Sequence, residues 1–148
     1  MEEMPLGRLL LGAARESSAR VCGRLRGRGH QVRFAHSALI TNLDREGTRL
    51  TVLAERAEMS KQAMGVLARE LEDAGYVERA VDPTDARAVL LTPTQRGYEL
   101  INDMAEEMAQ VEDELRVLLG EAELQTLRRC LSVLLREAQS GIALKAQV

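Results

Sequence analysis

Residues 60–75 read SKQAMGVLARELEDAG, a pattern that is typical of an amphipathic helix. Ser60 is a favourable residue for capping the start of this helix, and Gly75 suits the left-handed conformation in which many helices end. At 3.6 residues per turn, one side of the predicted helix is apolar and comprises Ala63, Met64, Leu67, Leu71 and Ala74. The opposite stripe comprises Lys61, Gln62, Gly65, Arg69 and Glu72.

The glycine inside this helix needs a reason, since glycine costs about 1 kcal/mol relative to alanine in a helix. The helical wheel places Gly65 on the outward stripe, where it does not pack in its own core. We therefore expect Gly65 to let the helix backbone approach another molecule closely.

The neighbouring segments predict a winged helix-turn-helix. Residues 52–58 (VLAERAE) form a short helix for which Thr51 is the expected cap, and a turn then leads to the helix at Ser60. The runs YVERAV (76–81) and RAVLLT (87–92) have strand character, and DPTD (82–85) between them has turn chemistry. Pro93 is expected to shorten the second strand, because proline cannot donate to a ladder.

Helical patterns flank this unit on both sides, so the predicted fold class is mainly α with a small β wing. Residues 7–28 and 36–47 read as helices, and Gly47 closes the second. Apolar residues with heptad spacing follow at Ile101, Met104, Met108, Val111, Leu115 and Leu118. After Gly120 the pattern resumes at Leu124, Leu127, Leu131 and Leu134. A winged helix is already a closed unit, so we expect these helices to pack against a second copy of the chain.

The expected organisation within one compact chain is therefore an N-terminal dimerisation helix (1–36), a winged helix-turn-helix DNA-binding domain (37–96) and C-terminal dimerisation helices (97–148). The chain has 148 residues, of which 45% are hydrophobic and 2% aromatic. No apolar run approaches the roughly 18 residues of a membrane span, so a cytoplasmic location is expected. Two cysteines, two histidines and no catalytic motif argue against an enzyme, a metal site or a cofactor.

The net charge of −3 does not by itself indicate a nucleic-acid partner, but the local chemistry does. At the predicted helix start, Ser60 suits a backbone contact, Lys61 suits a phosphate or a guanine, and Gln62 suits an adenine edge. At the hairpin tip, Arg87 can enter a minor groove while Asp85 holds its guanidinium. The predicted DNA contacts are Ser60, Lys61, Gln62, Gly65, Arg69, Thr84, Asp85 and Arg87. The alternative is an ordinary solvated face with an exposed ion pair.

Residues 53–97, LAERAEMSKQAMGVLARELEDAGYVERAVDPTDARAVLLTPTQRG, resemble the MarR family of bacterial winged-helix transcription regulators. The similarity lies in LAERA, GYVER, DPTDAR and the pair Thr94 and Gly97. It implies a homodimer that binds pseudo-palindromic double-stranded DNA, Arg87 in the minor groove, and a repressor whose DNA binding is weakened by a small-molecule effector. Many members carry polar residues where this chain has Gly65 and Val66, so base reading would fall on Lys61, Gln62 and the wing.

By position, an effector pocket would be lined by Phe34, His36, Leu39, Ile40, Met104 and Met108. Two alternatives remain for these residues: His36 caps a helix, and the methionines belong to the core. Two further functions also remain open, a redox-sensing regulator acting through Cys22 and a winged helix that docks proteins. Cys22 and Cys130 are expected to be buried and His30 to be exposed.

Overall fold

A computed structural model of the chain describes residues 3–139. Residues 1–2 and 140–148, the ends of the predicted segments 1–36 and 97–148, lie outside the described part. The chain divides into two compact units, Met1–Met108 and Ala109–Val148. The assignment of separate roles to residues 1–36, 37–96 and 97–148 stays a prediction.

The elements follow the predicted order. Helix α1 spans Leu6–Gly27, a 3-10 turn spans Phe34–His36, and α2 spans Ser37–Ile40. The winged helix then comprises β1 (Thr48–Arg49), α3 (Leu50–Arg56), α4 (Lys61–Asp73), β2 (Val77–Asp82) and β3 (Asp85–Pro93). Two long helices follow, α5 (Gln95–Leu119) and α6 (Glu121–Gln139). The predicted fold class, mainly α with a small wing, is confirmed.

The sheet is antiparallel, with β3 between β1 and β2. Pro93 was expected to shorten the second wing strand, and this prediction is wrong, because β3 runs to Pro93 opposite Val77. The short strand β1 pairs only with Leu90 and Leu91, so Pro93 has a strand neighbour on one side alone. A missing N–H is tolerated at such a position.

Local capping chemistry fixes both ends of α4 as predicted. The Ser60 hydroxyl oxygen accepts a hydrogen bond from the Ala63 N–H at 3.1 Å, and Gly75 has φ +79° beyond the last turn. The predicted cap of the preceding helix is wrong: α3 begins at Leu50 with Arg49 in the capping position, so Thr51 lies inside the first turn. Arg49 belongs to β1, and α3 therefore starts directly from the sheet.

The hydrophobic core of the first unit is built around the inner face of α4. Met64, Ala68 and Leu71 are fully buried there. They lie in one cluster with residues of the other elements, including Leu25, Leu39, Ile40, Leu53, Tyr76, Leu91, Leu100 and Met104. The face of α4 that packs in this core lies opposite its exposed face.

The start of α5 is anchored to the end of α4 through Thr94 and Gly97. The Thr94 hydroxyl donates a hydrogen bond to the Gly75 carbonyl at 2.6 Å and accepts one from the Gly97 N–H at 3.1 Å. A Cβ atom at residue 97 would lie 2.0 Å from the Tyr76 carbonyl oxygen. Only glycine therefore permits this approach of α5 to the chain at Tyr76.

Two expectations about burial are wrong. His30 is buried rather than exposed, and Cys130 is exposed on α6, whereas Cys22 is buried as expected. Across residues 3–139, the structure has no helix with the length and apolar character that a membrane crossing requires.

Candidate nucleic-acid interface

The exposed face of α4 is a single row of side chains, which we call the outer row: Gln62, Val66, Arg69 and Asp73. These residues are spaced by four, three and four positions, which places them on one side of a helix. Lys61 is also exposed, beside the row at the start of the helix, and Ser60 precedes it. The predicted contacts Ser60, Lys61, Gln62 and Arg69 therefore lie on one continuous surface.

Gly65 does not belong to this surface, which corrects the helical-wheel prediction. It is buried, and a Cβ atom at this position would lie 3.9 Å from the Cδ2 atom of Leu50 on α3. Glu72, assigned to the same outward stripe, is half-buried and accepts a hydrogen bond from Arg79 of β2 at 3.0 Å. Helix α4 thus packs on a wider arc than its large apolar residues indicate, because α3 covers the side that carries Gly65.

Three cations on α4 and the wing have no partner among the described residues. Within residues 3–139, the side chains of Lys61, Arg69 and Arg87 are exposed and form no hydrogen bond or ion pair. Nearby arginines behave differently. Arg79 pairs with Glu72 and Arg56 pairs with Asp44 at 2.9 Å. The uncommitted cations are thus available to an anionic partner such as a phosphate backbone.

The wing tip is held by a buried carboxylate that the sequence did not reveal. Asp82 accepts hydrogen bonds from the N–H and the hydroxyl of Thr84 at 2.8 and 2.7 Å. Its other oxygen accepts one from Nε of Arg49 at 2.6 Å. The Thr84 bonds, followed by that of Arg49, lower the pKa of Asp82 to about 2. The predicted contact Thr84 therefore also has a structural role within the turn.

Asp85 contacts Arg87, but through a different group from the one predicted. The Asp85 carboxylate accepts a hydrogen bond from the backbone N–H of Arg87 at 3.0 Å. No ion pair joins Asp85 to the Arg87 guanidinium in the described chain. Asp85 therefore shapes the backbone at the tip and leaves the guanidinium of Arg87 unrestrained in the unbound protein.

The six residues assigned to an effector pocket are not alike in their surroundings. Leu39, Ile40 and Met104 are part of the hydrophobic core, which favours the alternative that Met104 is a core residue. Phe34 and Met108 are exposed. The sixth residue, His36, is buried in a polar cluster.

His36 links the 3-10 turn to α4. Its Nδ1 atom accepts a hydrogen bond from the Arg33 N–H at 3.2 Å, so the His36 side chain takes part in capping the 3-10 turn and not α2, at whose start it makes no capping bond. Its Nε2 atom lies 2.7 Å from Oε2 of Glu70 on α4, and the Arg33 guanidinium donates to the same oxygen at 2.6 Å. The hydrogen bond from His36, followed by that from Arg33, lowers the pKa of Glu70.

A second buried histidine joins three segments of the first unit. His30 Nδ1 lies 3.2 Å from the Tyr76 hydroxyl, and Nε2 lies 2.9 Å from Oδ2 of Asp103 on α5. The Tyr76 hydroxyl also accepts hydrogen bonds from the Gln31 N–H and from Arg96. The Tyr76 hydroxyl therefore donates its own proton to Nδ1 of His30, and the Nε2–H of His30 donates to Asp103. This bond from His30 is the largest cause that lowers the pKa of the Asp103 carboxyl.

The environment of Cys22 weakens the redox alternative. Burial raises the pKa of the Cys22 thiol above its ordinary value, and the nearby Arg26 only partly offsets this effect. The thiolate is the nucleophile in reactions with oxidants, so a raised pKa lowers reactivity.

Residues 30–88 match the family model described as MarR family. Among solved structures, the chain is similar to one described as MarR, with 29% identity and a TM-score of 0.70 over 93% of this chain and 99% of the other. A MarR transcriptional regulator from Methanosarcina mazei Go1 has a TM-score of 0.77 at 18% identity, covering 91% of this chain and 96% of that one.

A third similar structure is a complex of S. aureus MepR with DNA, which has a TM-score of 0.74 at 20% identity over 91% of this chain and 99% of that chain. A search of curated proteins gave no match. The two structures with lower identity support the fold, whereas the family model covers the helix-turn-helix and the wing tip. The helix-turn-helix and the wing tip of this chain thus match the MarR family, and the chain has the winged-helix fold of the MarR structures to which it is similar.

Proposed function

We propose that this protein is a homodimeric repressor that binds a pseudo-palindromic DNA operator and is released from it by a small-molecule effector. The observation that carries the DNA-binding part is the outer row of α4. Gln62 and Arg69 of this row, and Lys61 beside it, are exposed and without partners inside residues 3–139. Arg87 at the wing tip has the same property.

In the proposed complex, α4 enters the major groove and the wing follows the adjacent minor groove. Ser60, Lys61 and Arg69 contact phosphates, and Gln62 contacts an adenine edge. Arg87 enters the minor groove, where a narrow groove has an enhanced negative potential. The backbone of the tip is already ordered by Asp82 and Asp85, so the wing loses little conformational freedom on binding.

Exposed apolar side chains on three helices support a homodimer. In the first unit they lie on α1 and comprise Leu6, Leu9 and Leu11. In the second unit they lie on α5 and α6 and comprise Leu118, Leu127 and Leu134. Burying one such side chain fully contributes about 1.5–3 kcal/mol, so a second copy that covers these helices gains substantial stability. A two-fold dimer reads two half-sites about one helical turn of DNA apart.

The effector part rests on the similarity to the MarR family and on the link between α4 and the 3-10 turn. Glu70 of α4 is held by both His36 and Arg33. A ligand that competes for either partner would remove a restraint on the helix that we propose reads DNA. This predicts an anionic or hydrogen-bonding effector, because both partners are donors to a carboxylate.

The test is selection of genomic DNA fragments on the purified protein, followed by titration of the enriched fragment. The wild type should give one enriched motif with two-fold symmetry, and Arg69→Ala should weaken binding to it. Arg129→Ala on α6, which removes the same charge from an exposed site, is the matched control and should bind as the wild type does. The proposal would be contradicted if no sequence is enriched, or if Arg69→Ala and Arg129→Ala lose the same amount of DNA affinity.

A further inference from the structure

We propose that Val66 is a specificity-determining residue that contacts the 5-methyl group of a thymine in each half-site, next to an adenine read by Gln62. This inference rests on the proposed DNA-binding function and adds to it the base composition of the half-site. A single exposed apolar side chain requires no explanation by itself. The position of Val66 on α4 is what carries the argument.

Val66 lies in the outer row between Gln62 and Arg69, and 41% of its surface is exposed. Both polar neighbours are without partners inside the described chain, so they are available to an external molecule. Val66 is not part of the hydrophobic core, and valine forms helix less readily than alanine does. Contact with an apolar group of the partner would give this residue a role.

The direction of Val66 is fixed by the residues on either side of it. Gly65 is buried against Leu50 of α3, while Met64 and Leu67 are buried in the core. Helix α4 therefore cannot rotate about its axis without breaking both contacts. Because valine in a helix strongly prefers one χ1 rotamer, its two methyl groups are already ordered before binding and little side-chain entropy is lost.

The chemistry of the major groove then selects the base. Thymine is the base that presents a methyl group in this groove, whereas the other bases present polar atoms that valine cannot satisfy. Gln62 suits adenine because its amide pairs with N6 and N7 of that base. Four residues of helix rise by about 6 Å, and bases are about 3.4 Å apart along a strand. The two contacts therefore fall within two base steps of each other.

The experiment replaces each thymine of the selected operator with deoxyuridine, one position at a time, which removes only the 5-methyl group. We expect one thymine per half-site at which this change lowers wild-type affinity about fourfold, as expected for one buried methyl group. Val66→Ala removes the contact in both half-sites of the dimer, so it should lower affinity for the unmodified operator about sixteenfold, the square of that factor. The affinity of the Val66→Ala variant should not change further when deoxyuridine replaces that thymine. The control Val117→Ala on α5 should lose affinity on this replacement as the wild type does.

Two outcomes would overturn the inference and leave the proposed function intact: sequence-specific binding without a sensitive thymine, and an unchanged deoxyuridine response in Val66→Ala. Failure of the wild type to bind any fragment specifically would overturn both. Gln62→Ala gives an independent readout, since it should relax the preference for adenine within two base steps of the sensitive thymine. A preference that stays unchanged would remove Gln62 from the pair.

Discussion

Arg49 donates a hydrogen bond from Nε to the carboxylate of Asp82 at 2.6 Å and thereby ties the wing tip to the residue that precedes α3. The carboxylate is buried, and its other oxygen accepts two hydrogen bonds from Thr84. The β-turn of the wing and the first helix of the helix-turn-helix are thus joined by one ionised side chain. Its ionisation makes this junction sensitive to acid.

Acid should weaken the protein through Asp82. The pKa of Asp82 is about 2 in the folded protein, and an aspartate in an unfolded chain has a pKa of about 3.9. A carboxyl whose pKa is lowered by folding stabilises the protein above the unfolded pKa, and this contribution is lost as pH falls through the folded value. Urea unfolding of the wild type between pH 5 and pH 2 should show this loss, with the steepest change below about pH 4.

The Asp82→Asn variant should be less stable than the wild type at pH 6, and the difference should shrink as pH falls. Asp85→Asn is the control from the same turn, because the Asp85 carboxylate is exposed and accepts only a backbone N–H. A difference between Asp82→Asn and wild type that stays constant down to pH 2 would contradict the role of Asp82 as an ionised anchor.

Gly65→Ala should stabilise the protein by about 1 kcal/mol, because alanine forms helix better than glycine and the new Cβ makes an ordinary contact with Leu50. DNA affinity should be unchanged, since residue 65 faces α3. Thermal unfolding and operator titration of the same sample measure both quantities. A loss of affinity with unchanged stability would mean that residue 65 approaches DNA after all.

The helical wheel places Gly65 on the wrong face because it does not show how α4 is oriented about its own axis against α3. Ser60, Gly75 and the turn at residues 82–85 are recognisable because their conformations depend on local chemistry. The orientation of α4 about its axis depends instead on which side α3 covers. Small residues such as Gly65 and Ala68 do not indicate that side by their hydropathy. A wheel built on the larger apolar residues therefore finds the core side but not its full width.

The burial of His30 also could not be predicted from local sequence. Its partners Tyr76 and Asp103 lie 46 and 73 residues further along the chain, so no local pattern connects them. The effector pocket was assigned by position along helices, which does not separate core residues such as Leu39 from exposed ones such as Phe34. Motif resemblance located the wing and α4, but it did not identify the ion pair of Arg49 and Asp82.

Gly97→Ala should destabilise the protein by about 1–3 kcal/mol, the range for overpacked sites. The added Cβ would meet the backbone oxygen of Tyr76, which cannot move away as a flexible side chain would. Gly23→Ala in α1 is the matched control, because nothing lies within 4 Å of the added atom there, and it should raise stability instead. Equal effects of the two substitutions in urea unfolding would exclude close packing as the reason for Gly97.

Lys61→Ala should reduce the salt dependence of DNA binding. Each phosphate contact contributes about 0.9 to the slope of log affinity against log salt concentration, so a dimer that loses two contacts should lose about 1.8. Operator titrations at several salt concentrations measure the slope. Arg129→Ala, which changes the net charge equally, should keep the wild-type slope. If Lys61→Ala keeps it too, Lys61 does not contact a phosphate.

Arg87→Ala should lower operator affinity at least about tenfold, equivalent to 1.4 kcal/mol, because it removes the uncommitted cation of the wing. Asp85→Ala tests whether the hydrogen bond to the Arg87 backbone orders the wing tip. The substitution removes the acceptor of the Arg87 N–H but keeps the guanidinium. If Asp85 acts by ordering the backbone, Asp85→Ala should lower affinity by a smaller factor, and its effect should nearly vanish in the Arg87→Ala background. Additive losses in the double variant would show that the two residues act independently, and an Arg87→Ala affinity within twofold of wild type would remove the wing from the proposed interface.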